Sequence, residues 1–348
     1  MYVPTSNKMV RLISIFILFL LFNFELPSPS IDENSRSIEY PQLSARAIGI
    51  GMAMTAVSGD EQCIFYNPAG LAGIRGFRIG QSHSLRHFPG EIRNLDQLDA
   101  DPVSIVHPLP IGGVFANGFV LQGECGYDYM TRNEMDFPQR KEWGIERYDA
   151  YALNATPWTK IGFYHRSNIY RGQASPPSPS PRMWRGGLGG EVFEFSWQKE
   201  GEGGCFGFIQ TILPGVNFGY SSEKMDNDYI PEQGVTTKKV RTGWSIKPLP
   251  WIHFVIDNET NKSKTRIEDN TTIDTTKRKN WGIELAIIPG VVCRYGSIDG
   301  NRTCGLSLGA GRFKLHYGEA KNIMPLIVGK DYPDRFKDIH VTSWSLQM

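Results

Sequence analysis

This sequence has few of the features that mark an enzyme, a metalloprotein or a nucleic-acid-binding protein. Its five cysteines, Cys63, Cys125, Cys205, Cys293 and Cys304, are an odd set with no close pair. They offer no zinc spacing, and a chain of 348 residues does not depend on disulfide staples. Cys293 and Cys304 flank an expected hairpin. That leaves a cross-strand disulfide open beside the plainer reading of five small apolar side chains, with Cys304 facing outward. The seven histidines are scattered along the chain, and no Cys-x-x-Cys pair accompanies them. Lys and Arg number 37 against 36 Asp and Glu, a net charge of +1 that argues for neither nucleic acid nor an acidic partner. The glycine runs at Gly187–Gly190 and Gly201–Gly204 lack the strand-to-helix setting of a phosphate cradle, so they read as turns. The chain is read as no enzyme, with no catalytic residue, no metal ligand and no cofactor.

Long hydrophobic runs are also missing. The longest, Leu12–Phe24, covers thirteen residues, short of the roughly 20 that a spanning helix needs. Lys8 and Arg11 precede it and Ser28-Pro29-Ser30 follows, a pattern that predicts a secretory signal peptide over 1–30, with a signal anchor as the rival reading. No stretch carries a convincing helical period.

What the sequence does have is short alternating segments rich in glycine and aromatics. Aromatics make up 12% and glycines number 37, while the mean hydropathy is an ordinary −0.31. Transmembrane barrels hide from bulk hydropathy in this way, because their lumen and loops are polar. Phe193, Phe195 and Trp197 alternate with Glu194, Ser196 and Gln198. Trp281, Ile283, Leu285 and Ile287 alternate with Gly282, Glu284 and Ala286. Phe313, Leu315 and Tyr317 flank Lys314 and His316, and the last segment sets Thr342, Trp344, Leu346 and Met348 against Val341, Ser343, Ser345 and Gln347. Mid-strand charges opposite large aromatics suit a wet lumen backing onto lipid. Trp158, Trp251, Tyr295 and Trp344 near strand ends suit interfacial girdles. Four polar stretches read as long connections: Gly172–Arg182, Asp226–Lys238, Asn258–Lys279 and Glu319–Lys337.

The most specific segment is 44–74. It joins Ala45, Arg46, Gly49, Gly51, Ala56 and Val57 to an acidic turn at Asp60, then to Tyr66-Asn67-Pro68-Ala69-Gly70-Leu71. Its glycines permit close backbone approach, and Asn67 before Pro68 opposes a continuous helix. In order and content the segment resembles the N-terminal signature of FadL-type outer-membrane barrels, particularly their PorV/PorQ-like branch. Arg294-Tyr295-Gly296, Gly305–Gly309 and Phe313–Tyr317 resemble late strands of that group, as does Thr242–Asn258. The chain departs from the pattern at Ile50-Gly51-Met52-Ala53-Met54, where a Gly-Gly pair is usual, and at Met348, where many such barrels end on an aromatic.

The resemblance implies an all-β fold: an antiparallel transmembrane β-barrel of about 14 strands, with an N-terminal hatch inside the lumen. The expected division is a signal peptide at 1–30, a hatch at 31–76 and the barrel at 77–348, exported to a bacterial outer membrane and bounded by its lipid. The hatch motif comprises Arg46, Gly49, Gly51, Asp60, Asn67, Pro68, Ala69 and Gly70. By alternation His253, Asp257, Glu284, Arg294, Lys314 and His316 are candidate lumen-lining residues. These charges either pair with one another and hold the plug, or form a track for a ligand head group with Arg46 as counter-ion to a carboxylate. Related barrels pass hydrophobic small molecules through a plugged lumen and a side opening. PorV-like relatives imply instead a role in protein secretion, with a secreted protein as cargo. The alternative from another class is a secreted soluble β-sandwich binding module.

Overall fold

The computed structural model describes residues 44–85, 96–110, 112–126, 140–174, 195–230, 233–267, 270–321 and 339–348. The expected signal peptide at 1–30 and the start of the expected hatch, 31–43, lie outside them, as do 175–194 and 322–338.

The chain enters as a compact run of short turns. Helix α1 (Ala45–Gly49) starts behind Ser44, whose Oγ accepts from Ala47 N at 3.1 Å. A 3₁₀ turn at Glu61–Phe65 starts behind Asp60, whose Oδ1 accepts from Gln62 N at 2.8 Å. A second, Pro68–Gly73, starts behind Asn67, whose Oδ1 accepts from Ala69 N at 3.2 Å. Each turn thus has its own side-chain cap, and Pro68 occupies a first-turn position where a missing N–H costs nothing.

Fourteen strands follow. They are β1 (Arg78–Leu85), β2 (Asp96–Pro108), β3 (Val114–Gly126), β4 (Arg140–Asn154) and β5 (Thr159–Ala174). Next come β6 (Phe195–Leu213), β7 (Val216–Ile230), β8 (Gln233–Leu249), β9 (Ile252–Ile267) and β10 (Asn270–Ile288). The last are β11 (Val291–Ile298), β12 (Asn301–Ala310), β13 (Phe313–Ala320) and β14 (Ile339–Gln347). Every neighbour in sequence is a neighbour in space, and β14 pairs antiparallel with β1 to close the sheet. The sandwich alternative is thereby overturned: one sheet closes on itself, rather than two packing face to face.

Two expected connections are strand instead. Asp226–Lys238 spans the tight β7–β8 hairpin, and Asn258–Lys279 runs through β9 and β10, paired rung by rung. The Cys293–Cys304 disulfide does not form: Cys293 stands opposite Leu306 and Cys304 opposite Tyr295, and both thiols are free.

Alternation sorts the side chains. Phe163, Phe206, Ile256, Leu308 and Leu315 are each about half exposed on the outer face. Trp158 and Trp251 project from short turns, whereas Tyr295, expected near a strand end, lies mid-strand on β11. An apolar belt on this scale exceeds what a soluble monomer exposes. No helix among the described residues is long and apolar enough to cross a membrane, which has no bearing on crossing by strands.

On the inner face, glycines open room for the hatch. Gly80, Gly118, Gly162, Gly207, Gly219, Gly282, Gly296, Gly305 and Gly318 come from nine strands, and a Cβ on any of them would press on hatch atoms. The hatch core, with Ile48, Ile50, Met54, Ile64, Phe65 and Leu71 all but inaccessible, fills this ring. Phe65 meets Tyr148 of β4 edge-on at 5.1 Å.

Candidate functional site

The hatch is fastened to the wall mainly by charge. Arg46 on α1 donates from Nε and Nη2 to the two oxygens of Glu284 on β10, at 2.9 and 2.7 Å. Its Nη1 donates to Asp60 Oδ2 at 2.5 Å. Arg294 on β11 donates from Nε to Glu284 Oε1 at 2.7 Å and from Nη1 to Ser307, which also bonds His316. His253 Nδ1 lies 2.8 Å from Glu284 Oε2 and its Nε2 lies 2.7 Å from Ser245 Oγ. An ionised carboxylate only accepts, so Nδ1 carries the proton and Ser245 donates to Nε2. Two guanidiniums and two carboxylates balance within this buried cluster.

The sequence-derived site residues fall into place around it. Arg46, Asp60, His253, Glu284, Arg294 and His316 meet in the one network. Asp257 does separate work: its Oδ2 accepts from Thr55 N at 2.8 Å and Thr55 Oγ1 at 2.7 Å. Lys314 shares the inward face of β13 but is exposed and stands outside the network. Arg46 has both carboxylate partners already, so it is not a spare counter-ion for a ligand head group. Gly51 sits at φ 64° where a Cβ would run into the β10 and β11 backbone, and Gly49 packs on Arg294 and Gly305. Asn67 is fully buried, its Nδ2 donating to Thr55 O at 2.6 Å and to Phe208 O and Tyr220 O at 3.3 Å each. Pro68 and Ala69 press on Gly162, and Gly70 on Cys63.

A second lumen cluster was not anticipated. Arg166 on β5 donates to Glu223 Oε1 at 2.7 Å, lies 3.0 Å from Glu146 Oε2 and stacks over the Tyr148 ring at 5.3 Å. Arg241 on β8 donates to Glu259 Oε2 at 2.7 Å and to the hatch carbonyl of Tyr66 at 3.2 Å. The signal for Arg241 was its place in an inward series with Gly243 and Ser245. Glu259 was hidden by reading its segment as a loop.

In the hatch itself the two neighbouring acids diverge. Burial would raise the Asp60 carboxyl, but the adjacent Arg46 guanidinium and then the Gln62 amide hold it below the usual range. Burial, and then the charge of Asp60, push Glu61 up to about 7.

One seam of the wall is short. β1 pairs with β14 over eight rungs, Arg78–Leu85, but with β2 over only four, Arg78–Gln81 against Val106–Val103. The next rung would set Ser82 against Pro102, which has no N–H to donate. Above it the side chains bridge instead, His83 Nδ1 lying 2.8 Å from Asp101 Oδ1. The buried Ser82 hydroxyl has no partner among the described residues. Across β1 from the seam lies a recess of about 360 Å³, bordered by Ser82 and His83 of β1, Leu308 of β12, Leu315 of β13 and Trp344 of β14. A void of about 10 Å³ lies on the hatch side, among Arg46, Asp60, Glu61 and Ser343. Both are bordered by His316, Ser343 and Trp344, so a wall one residue thick divides them. No group of His, Cys, Asp or Glu among the described residues is arranged to hold a metal.

Fold and site together define a class: a closed, fourteen-stranded antiparallel barrel with its N-terminal segment plugging the lumen. Similar solved structures include the Ralstonia pickettii toluene transporter TbuX, at 12% identity and TM-score 0.62 over 88% of this chain and 99% of that one. The Pseudomonas putida toluene transporter TodX is similar at 11% identity and TM-score 0.61, over 90% of this chain and 100% of that one. A Pseudomonas aeruginosa FadL homologue follows at 11% identity and TM-score 0.56, over 89% and 99%. At such identities the likeness concerns the fold. No family model matches the chain, and no curated protein does.

Proposed function

We propose that this chain sits in a bacterial outer membrane and carries hydrophobic small molecules across it, leaving the barrel sideways through the β1–β2 seam. The observation that carries this reading is the pairing of a filled lumen with a wall whose ladder stops at Pro102. A solute blocked by the hatch has no straight aqueous path, whereas an apolar one gains by entering lipid through the wall. The recess of about 360 Å³ over β12–β14 and β1, one strand away from the seam, lies within the usual range of small-molecule sites, about 300–1,000 Å³. The structurally similar TbuX and TodX are toluene transporters, which favours an apolar cargo here as well.

Uptake tests it. Cells lacking their own hydrocarbon channels, with and without this chain, are given labelled toluene and a labelled sugar of similar size. Faster entry of toluene alone is the expected outcome; equal entry of toluene with and without the chain would remove the proposal. The Asn258–Lys279 segment, which as a long loop would have favoured docking of a secreted protein, is paired strand, so that support for the PorV-like reading falls away.

A further inference from the structure

Above the apolar belt the outer face of β8–β10 turns abruptly basic. On β10 the outward series runs Trp281, Lys279, Lys277, so one step of the alternation passes from indole to ammonium. On β9 it runs Ile256, Asn258, Thr260, Lys262, Lys264. The four lysines are exposed, as is Lys238 on β8. They have no carboxylate partner among the described residues. Lys224 of β7, by contrast, donates to Asp226 at 2.7 Å.

The register sharpens the point. Lys224 stands opposite Lys238, and Lys238 stands opposite Lys262, so three ammonium groups share one row across three strands. Lys277 lies on the diagonal from Lys262, which faces Thr275. Like charges directly opposite on a sheet destabilise it. Asp226 already neutralises Lys224, which leaves Lys238, Lys262, Lys264, Lys277 and Lys279 for a multivalent anion that neighbouring strands share.

We propose that this basic band binds the phosphorylated headgroups of outer-leaflet lipid, packed against the barrel where Trp281 and Ile256 leave the hydrocarbon. The height selects the partner. Two residues of strand cover about 7 Å, so Lys279 sits about 7 Å of strand above the Trp281 ring and Lys277 about 13 Å. Lys262 sits about 20 Å above Ile256, a span that suits a phosphorylated saccharide headgroup rather than a single phosphate. Lysines just outside the apolar boundary attract anionic lipid, and phosphate offers several acceptors to adjacent ammonium groups. The proposal requires the membrane setting of the barrel but is independent of any cargo.

The test uses the full chain purified in mild detergent, with a bisphosphorylated glycolipid and its dephosphorylated counterpart as probes and native mass spectrometry as the readout. The wild-type chain should retain the phosphorylated lipid and lose the other. K262E/K277E should cut retention by roughly tenfold, while R312E in a short turn should leave it unchanged. In detergent without anions K262E/K277E should be at least as heat-stable as the wild type, since it removes repulsion. If it loses the heat-resistant band, K262Q/K277Q carries the same comparison. Equal retention of both lipids, undiminished binding by the variant, or displacement by equimolar inorganic phosphate (a simple anion site) would each overturn the proposal.

Discussion

At the scale of single residues, the seal depends on buried polar groups that have no substitute partner. Arg46 separates Asp60 from Glu284, and removing it leaves Asp60 buried without its cation while Glu284 keeps only Arg294 and His253. Breaking a buried pair in this way costs about 3–5 kcal/mol. Arg46→Met is therefore expected to lower the temperature at which the folded band shifts on a gel, and to raise ion conductance in planar bilayers as the hatch loosens. Asn67→Ala removes a cap and leaves the carbonyls of Thr55, Phe208 and Tyr220 short of a donor. The expected loss is about 2–3 kcal/mol, read from the same heat shift. Arg46 and Glu284 were both legible in the sequence, the first from the motif and the second from alternation. Their contact was not, because 238 residues separate them and only the closed register brings β10 against α1.

At the scale of elements, the Asp60–Glu61 turn makes hatch stability depend on pH. The folded Glu61 carboxyl sits at about 7, above its ordinary 4.5, so between those values the folded state holds a proton the unfolded chain has released. Stability from this group is thus full below about 4.5 and lost as pH rises through 7. Asp60 acts oppositely, with a depressed value whose contribution is lost only in strong acid. Hydrogen-exchange protection across 58–62, taken relative to the intrinsic base-catalysed rate at each pH, should accordingly fall between pH 5 and 8 in the wild type, and much less in Glu61→Gln. The seam makes a second prediction. Pro102→Val returns a donor to β2 at the height where the ladder ends, and it should raise the heat-shift temperature by roughly 1 kcal/mol of added stability while slowing toluene uptake. Both hairpins misread as loops have one physical cause. In 226–238 and 258–279 the strands rise past the apolar belt, so Lys, Thr and Asn occupy both faces and the apolar period vanishes, although the pairing continues.

At the scale of the whole molecule, two features of the sequence work together. Nine wall glycines make room for a small-residue hatch, and the hatch in turn buries the faces those glycines leave bare. The barrel as a class was visible in alternation and in the 44–74 motif; the short β1–β2 seam was not, since Pro102 looks like any strand-edge proline until its partner is known. The account stands or falls on whether solute passes that seam. The decisive measurement joins Ser82→Cys and Pro102→Cys, the two positions of the missing rung, with a short reducible thiol-reactive linker and follows toluene uptake. Each single substitution serves as a control, in a background whose native cysteines are replaced by serine or alanine. The account predicts that uptake falls when the seam is bridged and recovers on reduction, with both single variants unaffected by the linker. Uptake that continues undiminished through a bridged seam would contradict it.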